Sequence, residues 1–266
     1  MNDQENYKSI NKQLWNEKTE AHVDSDFYNN KEFLAGKNSL NSIELNLLGN
    51  IEGKSILHLQ CHFGQDTLSL ARMGAKTTGL DLSDKAIDEA KQLNTQLNLD
   101  STFICSDVFD APNSLNEQFD IVFTSYGTIG WLPDLNKWAA VIRRCLKTDG
   151  KLIFVEFHPV IWMFEYDFSK FKYSYFNDGA IIETNEGTYA DRNAPIKAKE
   201  ISWNHPLSDV FKALLNNGLS IESFEEFDYS PYNCFNNTVE FEPEKFQIKE
   251  LQGIIPMVYA LSAIKK

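Results

Sequence analysis

The chain is short of positive charge: 25 Lys and Arg face 38 Asp and Glu, a formal net charge of -13 over 266 residues. Nucleic acids and anionic bilayers are bound mainly through clustered Lys and Arg, so neither is expected as a partner. No run approaches the ~18 apolar residues of a membrane span. The opening MNDQENYKSINKQLW lacks the apolar core of a secretory leader, and a cytoplasmic location is expected. Cys61, Cys105, Cys145 and Cys234 form no CxxC pair, and the five histidines show no HExxH spacing. Neither a disulfide framework nor a metal site is indicated. Internal repeats and low-complexity linkers are missing too. With 42% hydrophobic residues, the chain has the composition of a folded protein that can bury a core around a ligand.

From about residue 51, short aliphatic runs alternate with amphipathic stretches, the rhythm of βαβ units building a parallel sheet. The spacing predicts strands at 55–59, 76–80, 101–105, 119–125 and 151–156, the last after an Asp149-Gly150 turn. Helices are predicted over 66–73, from Ser83 as N-cap, and over 135–146. Between 157 and 205 the rhythm breaks into the aromatic FHPVIWMFEYDFSKFKYSYF and a polar alternation, read as an insertion that forms extra strands. A helix over 207–217, stopped by Gly218, and strands at 219–227 and 257–264 follow. Residues 1–50 read as a cap of two or three short helices anchored by Trp15, Phe27, Tyr28 and Phe33, and 51–266 as the main domain.

Ligands of open α/β folds bind at the carboxyl ends of the strands, where backbone N–H groups and helix N-termini face them. Gly64 lies in the first such loop. Asp81, followed by Leu82, ends the second strand, where a carboxylate can accept from two ribose hydroxyls. Asp107 follows the third strand, placed to accept from an adenine amino group, with Val108 flanking the ring. Each also has a plainer explanation: helix capping for Asp81, a turn for Gly64. Three successive strand ends in order favour a nucleoside site.

ILHLQCHFGQDT, TGLDLS, FICSDVFD, FDIVFTSYGTIGWLPD and LKTDGKLIFVEF resemble the five ordered motifs of class I S-adenosylmethionine-dependent methyltransferases. The resemblance covers about residues 51–157. It implies a doubly wound, Rossmann-like sheet of seven strands, the last antiparallel, with S-adenosylmethionine as cofactor. The glycine-rich motif departs from the family pattern: His58 replaces an acidic residue, and Gln60 and His62 replace two glycines, while Cys61 and Gly64 match. This LQCHFG loop is read as a subgroup's variant; Gln60 is expected to fit by keeping φ negative.

The resemblance implies cofactor contacts from Gln60, Cys61, Gly64, Asp81, Leu82, Asp107, Val108 and Ser125. Trp15, Tyr28 and Tyr126 are candidates for holding a sulfonium by cation–π attraction, although Trp15 and Tyr28 would equally serve to pack an N-terminal helix. A small-molecule acceptor is expected above strands four and five, roofed by the insertion. Tyr126, His158 and His205 are the catalytic candidates, His158 foremost because imidazole titrates near neutrality at a strand end. Monomer and homodimer both remain open. The competing function is a non-catalytic sensor of S-adenosylmethionine or S-adenosylhomocysteine. A nicotinamide-dependent oxidoreductase lacks its fingerprint glycines here.

Overall fold

The computed structural model describes residues 6–266; the first five residues of the expected cap lie outside them. The cap consists of α1 (Tyr7–Val23), α2 (Asn30–Leu34) and α3 (Ser42–Leu48). The α/β alternation then runs β1 (Ser55–Leu59), α4 (Gln65–Arg72), β2 (Lys76–Asp81), α5 (Asp84–Gln96), β3 (Thr102–Cys105), α6 (Ala111–Ser114), β4 (Phe119–Ser125), α7 (Leu135–Cys145) and β5 (Leu146–Phe157). A hairpin of β6 (Ile181–Glu186) and β7 (Lys197–Ser202) follows, then α8 (Leu207–Asn216) and β8 (Leu219–Phe227). A second hairpin, β9 (Thr238–Glu242) and β10 (Lys245–Ile248), precedes the closing β11 (Val258–Lys265).

Seven strands form one sheet in the order β3-β2-β1-β4-β5-β11-β8. β11 enters antiparallel between β5 and β8, as the resemblance implied. Ile56, Leu57 and Leu59 of β1 are fully buried, because helices cover both faces of a parallel sheet. Helix starts follow local chemistry: Ser83 accepts from the Ala86 N–H and Asp134 from the Lys137 N–H, each satisfying an otherwise orphaned donor. α7 buries Trp138, Ala139 and Ile142 against the sheet. The strand order reverses between β1 and β4, so a crevice opens above their carboxyl ends.

The structure corrects one expectation, bears out the extra strands of the insertion and adds a hairpin. Asp149 and Gly150 do not separate helix from strand: β5 runs through them, with Asp149 at φ 60° and a register shift against β4. The 157–205 insertion forms a single hairpin, β6–β7, while its aromatic half is mostly irregular. The β9–β10 hairpin was unforeseen. No helix among the described residues is long and apolar enough to cross a membrane.

Candidate functional site

The crevice is a cavity of about 1070 Å³. Its floor is the carboxyl edge of the sheet, and its walls come from α1, the 157–205 insertion and the segment after β8. The loop from β1 to α4 carries alternating left-handed residues: Gln60 at φ 55°, His62 at φ 50° and Gly64 at φ 83°. The expected negative φ at Gln60 is thus wrong; the turn keeps glycine geometry without the glycines. A Cβ at Gly64 would stand 2.7 Å from Phe103 Cε1, so any larger residue there requires the Phe103 ring to shift.

Asp81 fastens this loop. Its Oδ2 accepts from the His62 N–H at 2.8 Å and its Oδ1 from the Ser83 N–H at 2.8 Å. One lone pair on each oxygen stays available. Burial pushes its carboxyl pKa up, and the backbone donors pull it back. Asp107 Oδ1 accepts from the Phe109 N–H at 2.7 Å, and Oδ2 pairs with Lys8 Nζ of α1 at 2.6 Å. Cys61, Gly64, Leu82, Val108 and Ser125 line the same cavity. Trp15 packs edge-on against Trp131 and His62, at 5.4 and 5.3 Å between centroids. The cation over its ring is the chain's own Lys18, at 5.0 Å. Tyr28 meets Tyr189 hydroxyl to hydroxyl at 2.5 Å, tying the cap to the insertion.

The catalytic candidates separate. Tyr126, at φ 46°, lines the cavity and donates to Glu44 Oε2 at 3.0 Å. His158 is not brought to the cavity wall; its Nε2 stands 2.9 Å from Glu226 Oε1 and its Nδ1 accepts from the Val160 N–H at 3.2 Å. His158 is thus absent from the lining of the cavity. His205 lines the cavity with both nitrogens engaged, Nε2 on Leu132 O at 2.8 Å and Nδ1 on Asn177 Nδ2 at 3.3 Å. It has no lone pair free to take a proton.

Glu44, Asp66 and Tyr232 escaped the sequence, whereas Glu156 was expected beside the acceptor site. Glu44, in α3, is fully buried, and burial together with the Asp66 charge lifts its carboxyl pKa to about 7. Its only signal was the Asn41-x-x-Glu44 capping box. Asp66, in the first turn of α4, accepts from Ser125 Oγ at 3.3 Å, and Tyr232 receives an Asn41 amide hydrogen bond at 2.7 Å. Glu156 is 2% exposed and accepts from the N–H groups of Gly127, Thr128, Ile129 and Phe157 and from Thr128 Oγ1. It pins the loop after β4 at the cavity floor.

Comparison with known proteins agrees with this geometry. Residues 56–150 match a family model described as a methyltransferase domain. An uncharacterized methyltransferase of Synechocystis sp. is 32% identical over 133 residues, covering 49% of this chain and 60% of its own length. A ubiquinone biosynthesis O-methyltransferase of Coxiella burnetii is 31% identical over 104 residues, covering 39% and 44%. The chain thus spans 60% or less of these two relatives. Among solved structures, an S-adenosylmethionine-dependent methyltransferase from Clostridium acetobutylicum superposes with a TM-score of 0.58 at 17% identity, covering 91% of this chain and 93% of the other. One from Mesorhizobium loti superposes with a TM-score of 0.57 at 21% identity, covering 87% and 100%. At those identities the likeness is one of fold. Residues 56–150 thus match a methyltransferase-domain model, and the chain has the fold of the S-adenosylmethionine-dependent methyltransferases it superposes on.

Proposed function

We propose that the protein is an enzyme that binds S-adenosylmethionine and moves its methyl group to an O, N or S atom of a small molecule. The observation that carries this reading is the convergence of Asp81, Asp107 and the Gln60–Gly64 loop on one cavity at the strand-order reversal. Those residues suit the cofactor: a carboxylate with free lone pairs for a ribose, a second acid beside buried Val108 for an adenine, and orphaned polar atoms on the loop between them. The bound sulfonium supplies an already activated methyl group, so the chain's task is alignment and exclusion of water. Tyr126, Phe157, Trp162, Tyr232 and Phe235 form an aromatic wall suited to an uncharged or cationic acceptor. Tyr126 is the group positioned to receive an acceptor's proton, passing its own to Glu44 at 3.0 Å, a carboxyl poised near neutrality.

Calorimetric titration with S-adenosylmethionine and S-adenosylhomocysteine, with NADH as control, tests the reading. Micromolar binding of the first two, about 8 kcal/mol, is expected; tight NADH binding, or none at all, refutes it. The side chains that replace two glycines favour one second reading, a non-catalytic sensor of the same ligands. Methylation of one compound in an acceptor screen removes it.

A further inference from the structure

Glu44 and Asp66 are two acids within electrostatic reach of each other that the fold leaves without a cation. Glu44 is fully buried in α3, and Asp66 lines the cavity from the first turn of α4. The groups acting on them are Asn41, Tyr126, Ser39, Ser125 and, for Glu44, Asp66 itself. No lysine, arginine or histidine is among them. The lysines that line the cavity each have an acid of their own: Lys18 has Glu200 at 3.6 Å, Lys37 has Glu32 at 3.4 Å and Lys172 has Glu183 at 2.9 Å. A charge taken out of water is costly unless an opposite charge answers it, so the two acids call for a cation from outside the chain.

A second observation supplies that cation's surroundings. Tyr126 stands 5.1 Å edge-on from Tyr232 and 5.4 Å from Phe157, which is 4.9 Å from Phe235 and 5.9 Å from Trp162, all between ring centroids. These rings line the cavity, and aromatic faces attract ammonium groups. The chain holds one of its own ammonium groups in this way in the same cavity: Lys18 Nζ lies 5.0 Å from the Trp15 centroid and 5.3 Å from that of Trp131, with Glu200 as its acid. Around the other two acids, Asn41 Nδ2 donates to Glu44 Oε1 at 3.2 Å and to Tyr232 Oη at 2.7 Å. Tyr126 Oη gives its proton to Glu44 Oε2, which leaves its own lone pairs to accept.

We propose that the methyl acceptor is an amine that enters as its ammonium, paired with Asp66 and hydrogen-bonded to Tyr126 Oη against this aromatic wall, and that Glu44 takes up the proton it must lose. This rests on the S-adenosylmethionine reading and narrows the accepting atom to nitrogen. An alkyl ammonium, with a pKa of about 10, has no lone pair to offer at neutral pH. Its proton passes to Tyr126 Oη as the tyrosine's own passes to Glu44, whose carboxyl, lifted to about 7, can take a proton near neutrality and release it again. The freed nitrogen pair bonds the methyl carbon as the carbon–sulfur bond breaks and its electrons stay on sulfur, turning sulfonium into thioether. The methylated nitrogen leaves as an ammonium, and Glu44 returns its proton to water.

The test offers the full chain a panel of primary amines that includes phenethylamine and hexylamine, each matched by the alcohol and the thiol of the same skeleton. Release of S-adenosylhomocysteine reads transfer, with calorimetric titration of S-adenosylhomocysteine and melting curves beside it. Turnover is expected among the amines alone. Asp66→Asn should raise KM for the best amine at least tenfold, bind S-adenosylhomocysteine within threefold of wild type and melt no lower, since it relieves the repulsion on Glu44. With S-adenosylhomocysteine bound, that amine should raise the melting point of wild type and not of Asp66→Asn. Tyr126→Phe, which covers the case where Asp66→Asn fails to fold, should lower kcat at least tenfold at pH 7 with KM within threefold. It should recover toward wild type at pH 9, where about a hundredfold more of the amine is already free base. Turnover of alcohols or thiols without amines, or of no amine by protein that binds S-adenosylhomocysteine, overturns the inference and leaves the cofactor reading standing. An Asp66→Asn protein that loses S-adenosylhomocysteine tenfold with its amine KM unchanged also overturns it, by giving the acid to the cofactor. Wild-type protein that does not bind S-adenosylhomocysteine overturns the cofactor reading itself, and this inference with it.

Discussion

Removing the Asp81 carboxylate should separate cofactor binding from folding in one variant. In the bound state two ribose hydroxyls would use the lone pairs that the His62 and Ser83 N–H groups leave free. Hydrogen bonds to a charged acceptor contribute about 1.5–3 kcal/mol each. Asp81→Ala therefore forfeits about 3–6 kcal/mol, a loss of about 10²- to 10⁴-fold in affinity for S-adenosylhomocysteine. The free protein loses less. The His62 and Ser83 N–H groups lose their acceptor, a cost of about 2 kcal/mol in all, which lowers the melting temperature by about 4–8 °C in a chain of this size. Calorimetric titration alongside a thermal melt reads both quantities. A folded Asp81→Ala protein that binds within threefold of wild type would refute the assignment of Asp81 to the ribose.

Two further perturbations test the floor and the core. Glu156→Gln leaves one oxygen to serve five donors and turns an NH2 group against at least two of them; a loss on the order of 4 kcal/mol and a melting point lower by about 10 °C are expected by calorimetry, and a wild-type melt would contradict it. His58 is buried beside Phe123 with Nδ1 2.8 Å from Thr67 Oγ1, and burial pushes its pKa down to about 3. Its folded pKa lies below the unfolded value of about 6.5, so its contribution to stability is complete above that value and is lost as pH falls toward 3. His58→Asn should flatten the dependence of unfolding free energy on pH between 6 and 4 by up to about 1.4 kcal/mol per unit; denaturant melts of equal slope in both proteins would show that the imidazole is not held neutral.

The sheet was legible because burial on both faces leaves parallel strands as nearly continuous apolar runs, unbroken in Leu152–Val155 and interrupted only by His58 in Ile56–Leu59. The β9–β10 hairpin gave no such signal. Its strands, TVEFE and KFQI, alternate apolar and polar residues instead, but they are five and four residues long and β9 buries none of its residues, so the pattern marks no core face. The Asp149-Gly150 pair misled for a related reason. Asp at φ 60° is a turn signal by composition, yet here it bends one continuous strand, and only pairing with β4 tells the two apart.

Site residues divide along the same line. Asp81, Asp107 and Ser125 could be placed from local order, since the carboxyl ends of parallel strands border the crevice and all three line it. His158 occupies an equivalent position by sequence, one residue past β5. Its direction is set by β11 and Glu226 of β8, elements that arrive much later in the chain, and they draw the ring away. Glu44, Tyr189 and Tyr232 come from the cap, the β6–β7 hairpin and the segment after β8, brought together by topology rather than by spacing. The first loop reverses the problem. Gln60 and His62 break the glycine pattern in letters while their φ values of 55° and 50° keep it in geometry, and the Asp81 carboxylate still closes the turn on the His62 N–H. Counting glycines argues against a nucleoside site here; locating the acid one strand over argues for it. The second test is the stronger, because a side chain can be accommodated at positive φ at modest cost, whereas a strand-end carboxylate with lone pairs facing the cavity has no substitute in the loop.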